Sequence, residues 1–201
     1  QRQMCIRDRR FHIKRIDAVL VTHIHYDHTG GIDDLRPFGE NGTVPIYLEP
    51  SVAEGIRNRL PYCFADHRYP GVPNICLQEI GLSPFLIEGI EIVPIRVMHY
   101  KLPILGYRIG RFAYITDALI IPESEYEKLK DIDVLVVNAL RKKPHLSHQT
   151  LADALRIIDR VGPREAYLVH MSHHMGLTSE VEKELPAHVH FAYDGLVIDS
   201  L

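Results

Sequence analysis

Val19-Leu20-Val21-Thr22-His23-Ile24-His25-Tyr26-Asp27-His28-Thr29-Gly30-Gly31 is the stretch on which the fold turns. Its apolar, β-branched opening predicts a buried strand, and that strand stops where His23, His25, Asp27 and His28 fall within six positions. Extended backbone sends alternate side chains to one side, so His23 and His25 share a face while Asp27 and His28 turn toward a second point. Imidazole nitrogen and carboxylate oxygen are the donors that divalent metals take, and a packed strand fixes their geometry. A histidine-rich surface loop is the alternative. Random composition produces these four residues at these spacings only ~0.003 times per chain of this length, which favours the metal reading.

Working outward, residue types that can hold a metal recur where predicted strands stop. Residues 85–87 and 90–97 read as a hairpin turned at Glu88-Gly89, and its second strand delivers His99. Residues 106–109 and 112–116, turned at Gly110-Arg111, repeat the pattern and deliver Asp117; residues 165–169 deliver His170. Residues 134–138 are a continuous apolar strand. Between these, residues 31–35 predict a short helix ended by Pro37, and residues 45–48 a strand. Ser51-Val52-Ala53-Glu54 reads as a capping box opening a helix to about residue 60. Residues 62–74 read as a long loop, residues 123–130 as a short charged helix. In residues 150–161, Leu151, Leu155 and Ile158 fall at helical spacing before Gly162-Pro163. Ser179 heads a second capping box, and residues 189–192 with 196–198 predict a closing hairpin about Asp194-Gly195.

The 201 residues suffice for one sizeable core, and 46% hydrophobic with 24% charged residues is ordinary for a globular protein. A net charge of -3 gives no global basic field to gather nucleic acid. No apolar run approaches the roughly 18 residues that span a bilayer, so no membrane association is expected and a cytoplasmic location is the default. Cys5, Cys63 and Cys76 are widely spaced and form neither a disulfide framework nor a zinc knuckle.

The His-x-His-x-Asp-His run followed by Thr29-Gly30-Gly31 resembles the metallo-β-lactamase superfamily. The resemblance implies an α/β fold, the αββα sandwich, over residues 11–201. Members carry several strands before this loop; here residues 1–10 mix charges without period. The expectation is therefore a foreign leading segment and a first sheet lacking part of its strands. The resemblance also implies two divalent ions, zinc or manganese. His23, His25 and His99 would hold the first, Asp27, His28 and His170 the second, and Asp117 would join both, with Asp27 also counted as catalytic. Such a pair lowers the pKa of a water and clamps the oxygens of an electrophile.

His145-Leu146-Ser147-His148-Gln149-Thr150 is similar to the segment with which relatives cleaving phosphodiesters protonate the leaving oxygen. By that likeness His148 is the general acid and His145 a phosphate contact, with Arg108 a further candidate for a distal phosphate. From His145 to Gly195 the chain resembles the phosphoribosyl 1,2-cyclic phosphate phosphodiesterase branch, which implies a small cyclic ribose-phosphate-like substrate. In that branch a histidine placed like His173 joins a Cys-rich loop around a structural zinc; no such loop stands here. The alternatives are an RNA-processing endonuclease of the same fold, for which no basic arm is seen, a thiolester hydrolase, and an inactive metal-binding fragment. A homodimer is left open.

Overall fold

The chain is described over residues 12–198 by a computed structural model, so the expectation of a foreign segment at residues 1–10 lies outside the described residues. It divides into two compact units, residues 1–81 and 82–201.

In the first unit the strand predicted before the histidine run forms as β1 (Val19–Leu20), and the run itself closes into a single helical turn, α1 (Tyr26–Thr29). β2 (Val44–Leu48), α2 (Pro50–Arg59) and β3 (Ile75–Glu79) follow. The strands make a parallel sheet in the order β1-β2-β3. β2 buries Val44, Ile46 and Leu48, the period-2 face that α2 covers with Val52, Ala53 and Ile56. The Ser51 capping box does not form. Pro50, whose φ is already helical, starts the helix one residue earlier and leaves Ser51 inside its first turn. Residues 32–41 wind as a 3-10 helix that continues through Pro37 instead of an α-helix ending there. β3 is an edge strand that no alternation announced: only its first residue, Ile75, is buried.

The second unit is a seven-stranded mixed sheet. It comprises β4 (Phe85–Ile87), β5 (Ile90–His99), β6 (Leu102–Ile109), β7 (Phe112–Ile115), β8 (Val134–Asn138), then α3 (Leu151–Val161), β9 (Glu165–Val169), α4 (Thr178–Val181) and β10 (Val189–Phe191). β4 to β7 pair antiparallel in sequence order, and β7, β8, β9 and β10 pair parallel. Every residue of β8 is buried, as its unbroken apolar run requires of a central parallel strand. The β5–β6 hairpin is longer than sequence pattern suggests, pairing from Ile92 with Ile109 to His99 with Leu102.

α3 lays Leu151, Ala154 and Ile158 into the sheet core. Thr150 and Asp153 cap its start reciprocally, and Gly162, at φ 66, ends it in the left-handed conformation. The second predicted capping box is absent: α4 is one turn with Leu177 at its N-cap, and Ser179 lies within it. The closing hairpin is also absent. β10 pairs parallel with β9, and the residues beyond Tyr193 gain no ladder because they have no face to bury, Val197 being 75% exposed. Among the described residues no helix is long and apolar enough to cross a membrane.

Gly106 of β6, opposite Ile95 of β5, marks a close backbone approach. A Cβ there would stand 2.8 Å from the carbonyl oxygen of Tyr114 and 3.0 Å from Ile115 Cγ1. Gly106→Ala should therefore lower stability by about 1–3 kcal/mol. Gly81→Ala, with nothing within 4 Å of the added carbon, should change it by less than about 0.5 kcal/mol. Urea unfolding of the two variants checks the contrast.

Candidate metal centre

β7, β8 and β9 are parallel and in register, Ile115 beside Val137 and Val137 beside Leu168, so their carboxyl ends form one edge of the sheet. β5 is antiparallel to β6, which is antiparallel to β7, so β5 ends at this edge too. His99, Asp117, Asn138 and His170 are thereby delivered together, at the position where α/β sheets keep their ligand sites. Asp117 and His170 both take positive φ, 55° and 58°. Left-handed backbone at a non-glycine residue is strained, and such strain concentrates where a side chain must be aimed.

His99 Nδ1 donates to the carbonyls of Asp117 at 2.9 Å and Ser147 at 3.0 Å. Two carbonyl acceptors fix the proton on Nδ1, which makes Nε2 the electron-pair nitrogen. The Asp117 side chain is 2% exposed; its Oδ2 accepts from Thr116 Oγ1 at 2.8 Å, and its Oδ1 lies 3.2 Å from His170 Nε2. His148 stacks on the His170 ring at 5.1 Å and leans on His99 at 4.6 Å. Its buried Nδ1 makes no hydrogen bond, although Asp117 Oδ1 stands 3.4 Å away. Burial pushes the His148 pKa down to about 4; the Asp117 carboxylate pulls it up, and His99, His170 and His145 press it further down. Around neutral pH the ring is therefore an uncharged nitrogen donor.

In the first unit His23 is 1% exposed, its Nδ1 held by Thr22 Oγ1 at 3.0 Å and its Nε2 3.0 Å from His25 Nδ1. Asp27 Oδ2 lies 3.3 Å from His28 Nε2, and the His28 ring sits 4.3 Å from that of His23. The structure thus brings His25 against His23 and Asp27 against His28. α2 braces the loop. Arg59 donates to the Ile24 carbonyl and to Thr29 Oγ1, both at 2.8 Å, and Gly55 lies so near Ile24 that a Cβ would come within 2.7 Å of its side chain.

The remaining predicted residues divide. His145 is brought to the cluster, its ring 5.1 Å from that of His148 and its Nδ1 accepting from Ser147 N at 3.3 Å. Arg108 is not. It lies at the far end of β6 from Leu102, six residues or about 20 Å along the strand, and its guanidinium is taken by the carbonyls of Gly110, Lys128 and Lys130. His173 sits in a 3-10 turn with its ring against His174 at 3.8 Å. Arg141 donates to the carbonyls of Lys143 and Pro144 inside the loop that carries His145 and His148. Asn138 was overlooked, although a polar residue ending a buried apolar run is the same signal that singles out Asp117 and His170.

A family model described as "Beta-lactamase superfamily domain" matches residues 1–171. The chain belongs to the metallo-β-lactamase superfamily, whose fold is α/β with two sheets and flanking helices. More particularly, it is similar to a structure described as a new diphosphatase from the PhnP family, with a TM-score of 0.86 and 32% identity over 94% of this chain and 72% of that one. In sequence it is 44% identical over 186 residues to an octanoyltransferase of Porphyromonas gingivalis, which is 92% of this chain and 38% of that protein. It is 26% identical over 156 residues to a ribonuclease Z of Bacillus licheniformis, 75% of this chain and 48% of that protein. The chain therefore spans less than half the length of either of these two relatives.

The residues present fit a divalent cation. The Asp117 carboxylate stands 3.2 Å from His170 Nε2, and His99, with its Nδ1 proton given to two carbonyls, keeps Nε2 as an electron-pair nitrogen, which is the mixed imidazole and carboxylate donor set that such a cation takes.

Because the folded His148 binds its proton only near pH 4 and an unfolded histidine does so near pH 6.5, the two states differ in charge between those values. In metal-free protein this residue adds nothing above about pH 6.5 and lowers stability progressively as pH falls below it. His148→Gln should flatten that loss. Urea unfolding of both proteins at neutral and mildly acid pH, with chelator present, measures the difference.

Proposed function

We propose that the chain is a binuclear-metal-dependent hydrolase of phosphodiesters, acting on a small, cyclic ribose-phosphate-like substrate. The observation that carries this reading is the gathering of His99, Asp117, His148 and His170 at one sheet edge, with two of them on strained backbone. His23, His25, Asp27, His28, His99, Asp117 and His170 would hold the ions, zinc or manganese, through imidazole and carboxylate donors. When bound, the ions supply Lewis acidity and a water of lowered pKa. Likeness to a diphosphatase supports phosphorus as the electrophile.

In this reading His145 and His148 face the phosphoryl group, and Asp27 would be a metal ligand that also takes part in catalysis. The His148 ring by itself is neutral around pH 7, and a phosphodiester anion bound beside Asp117 would favour its protonation, so that it can give the proton to the departing sugar oxygen. Thr116 and the backbone carbonyls of Asp117 and Ser147 hold Asp117 and His99 in orientation for this work.

A second reading is favoured by the relative named octanoyltransferase, namely acyl transfer or thiolester hydrolysis. Most of that protein lies outside the match, so the activity it is named for can belong to another part. A third, RNA cleavage, has the ribonuclease Z match behind it.

Elemental analysis with a turnover screen over cyclic and linear phosphodiesters, an octanoyl thiolester and a structured RNA separates the three. Two equivalents of metal and preferential turnover of small phosphodiesters are expected, with activity abolished by exhaustive chelation. Undiminished activity after chelation overturns the proposal. His148→Ala should cost about 10²–10⁴-fold on an alkyl phosphodiester and much less on an activated aryl ester, whose leaving group needs no proton. Equal losses remove the acid role.

A further inference from the structure

Asn138 ends β8 and is 0% exposed, yet it carries a full carboxamide in an otherwise apolar strand. Burying that group is costly unless every polar atom is met. Both are met by one residue: Asn138 Oδ1 accepts from Ala118 N at 2.8 Å, and Asn138 Nδ2 donates to Ala118 O at 3.0 Å. A side chain that grips both backbone groups of a single residue fixes that residue's peptides in orientation and not merely in position.

Ala118 follows Asp117, whose φ of 55° an L side chain adopts at a cost. The chain beyond is pinned as well. Leu119 N and Ile120 N donate to Met98 O at 2.8 and 3.2 Å, Met98 N returns a bond to Ile120 O at 2.9 Å, and Gln149 N reaches Ala118 O at 3.1 Å. Upstream, Asp117 is tied to the end of β7. The turn at Asp117 is thus clamped on both sides, and its carboxylate direction follows.

We propose that Asn138 is a positioning residue. Its carboxamide, closed on Ala118, holds Asp117 in left-handed backbone and so aims the Asp117 carboxylate at His148 and His170. The consequence for metal binding rests on the reading that Asp117 is a ligand.

The experiment uses the full chain with Asn138→Ala and Asn138→Leu. Asn138→Leu keeps a side chain close to the carboxamide in size and removes both hydrogen bonds to Ala118 without burying a charge, so it carries the same readouts should Asn138→Ala not fold. In metal-free protein, NMR backbone shifts and the HN–Hα coupling of Asp117 report its φ. Competition against a chromogenic chelator then gives the affinity for Zn²⁺. Both variants should lose the left-handed signature at Asp117 and bind Zn²⁺ about 10- to 100-fold more weakly. In an Asp117→Asn background, Asn138→Ala should produce no further loss. A merely structural asparagine would lower the melting temperature and leave both readouts unmoved. An unchanged Asp117 signature overturns the clamp, as does a lost signature with unchanged affinity. If Asp117→Asn alone binds Zn²⁺ like wild type, the ligand reading fails, and the signature in the Asn138 variants still decides whether the clamp exists.

Discussion

The in-register parallel pairing of β7, β8 and β9 is the constraint on which the chemistry of the second unit depends. Backbone hydrogen bonds fix how far each strand extends relative to its neighbours. The residues that end them are therefore placed by the ladder before any side chain is considered. β8 suits its central place because all five of its residues are buried, as a parallel strand covered on both faces requires. Asp117, Asn138 and His170 are consequences of that alignment. What the side chains add is direction, through left-handed backbone at Asp117 and His170 and through carbonyls that choose the tautomer of His99.

The same division separates what could be read in the sequence from what could not. Strand ends were legible: the apolar runs before His23, Asp117 and His170 are strong, local signals, and so is the cluster at His23 to His28. Contacts made by backbone were not. Asn138 and Arg141 act through hydrogen bonds to main-chain groups, and no residue pattern in the chain encodes those partners. Arg108 shows the reverse error. Its charge suggested a phosphate, whereas the carbonyls left at the ends of neighbouring elements satisfy it at the opposite end of β6.

Capping chemistry misled for a related reason. Ser51 and Ser179 each head the right residue pattern, yet a cap works only if the helix starts there. Pro50 starts α2 earlier, and α4 is too short to need the device. Thr150 and Asp153 form the box that exists, at the head of the long helix whose apolar stripe is best defined. β3 escaped notice because an edge strand buries so little that its composition is nearly unconstrained.

The loop that carries His145 and His148 is closed at its base by bonds from Leu140 N to Gln149 O and from Leu151 N to Arg141 O. Those rungs sit on β8 and α3, so the stem is as rigid as the core while the crown, where Leu146 is 70% exposed, projects into solvent. Lengthening the crown adds little closure entropy, since each doubling of a flexible loop costs only about 0.6 kcal/mol. A scaffold built this way can exchange the segment that greets its substrate and keep its helix register, its strand alignment and His148 beside the loop's foot.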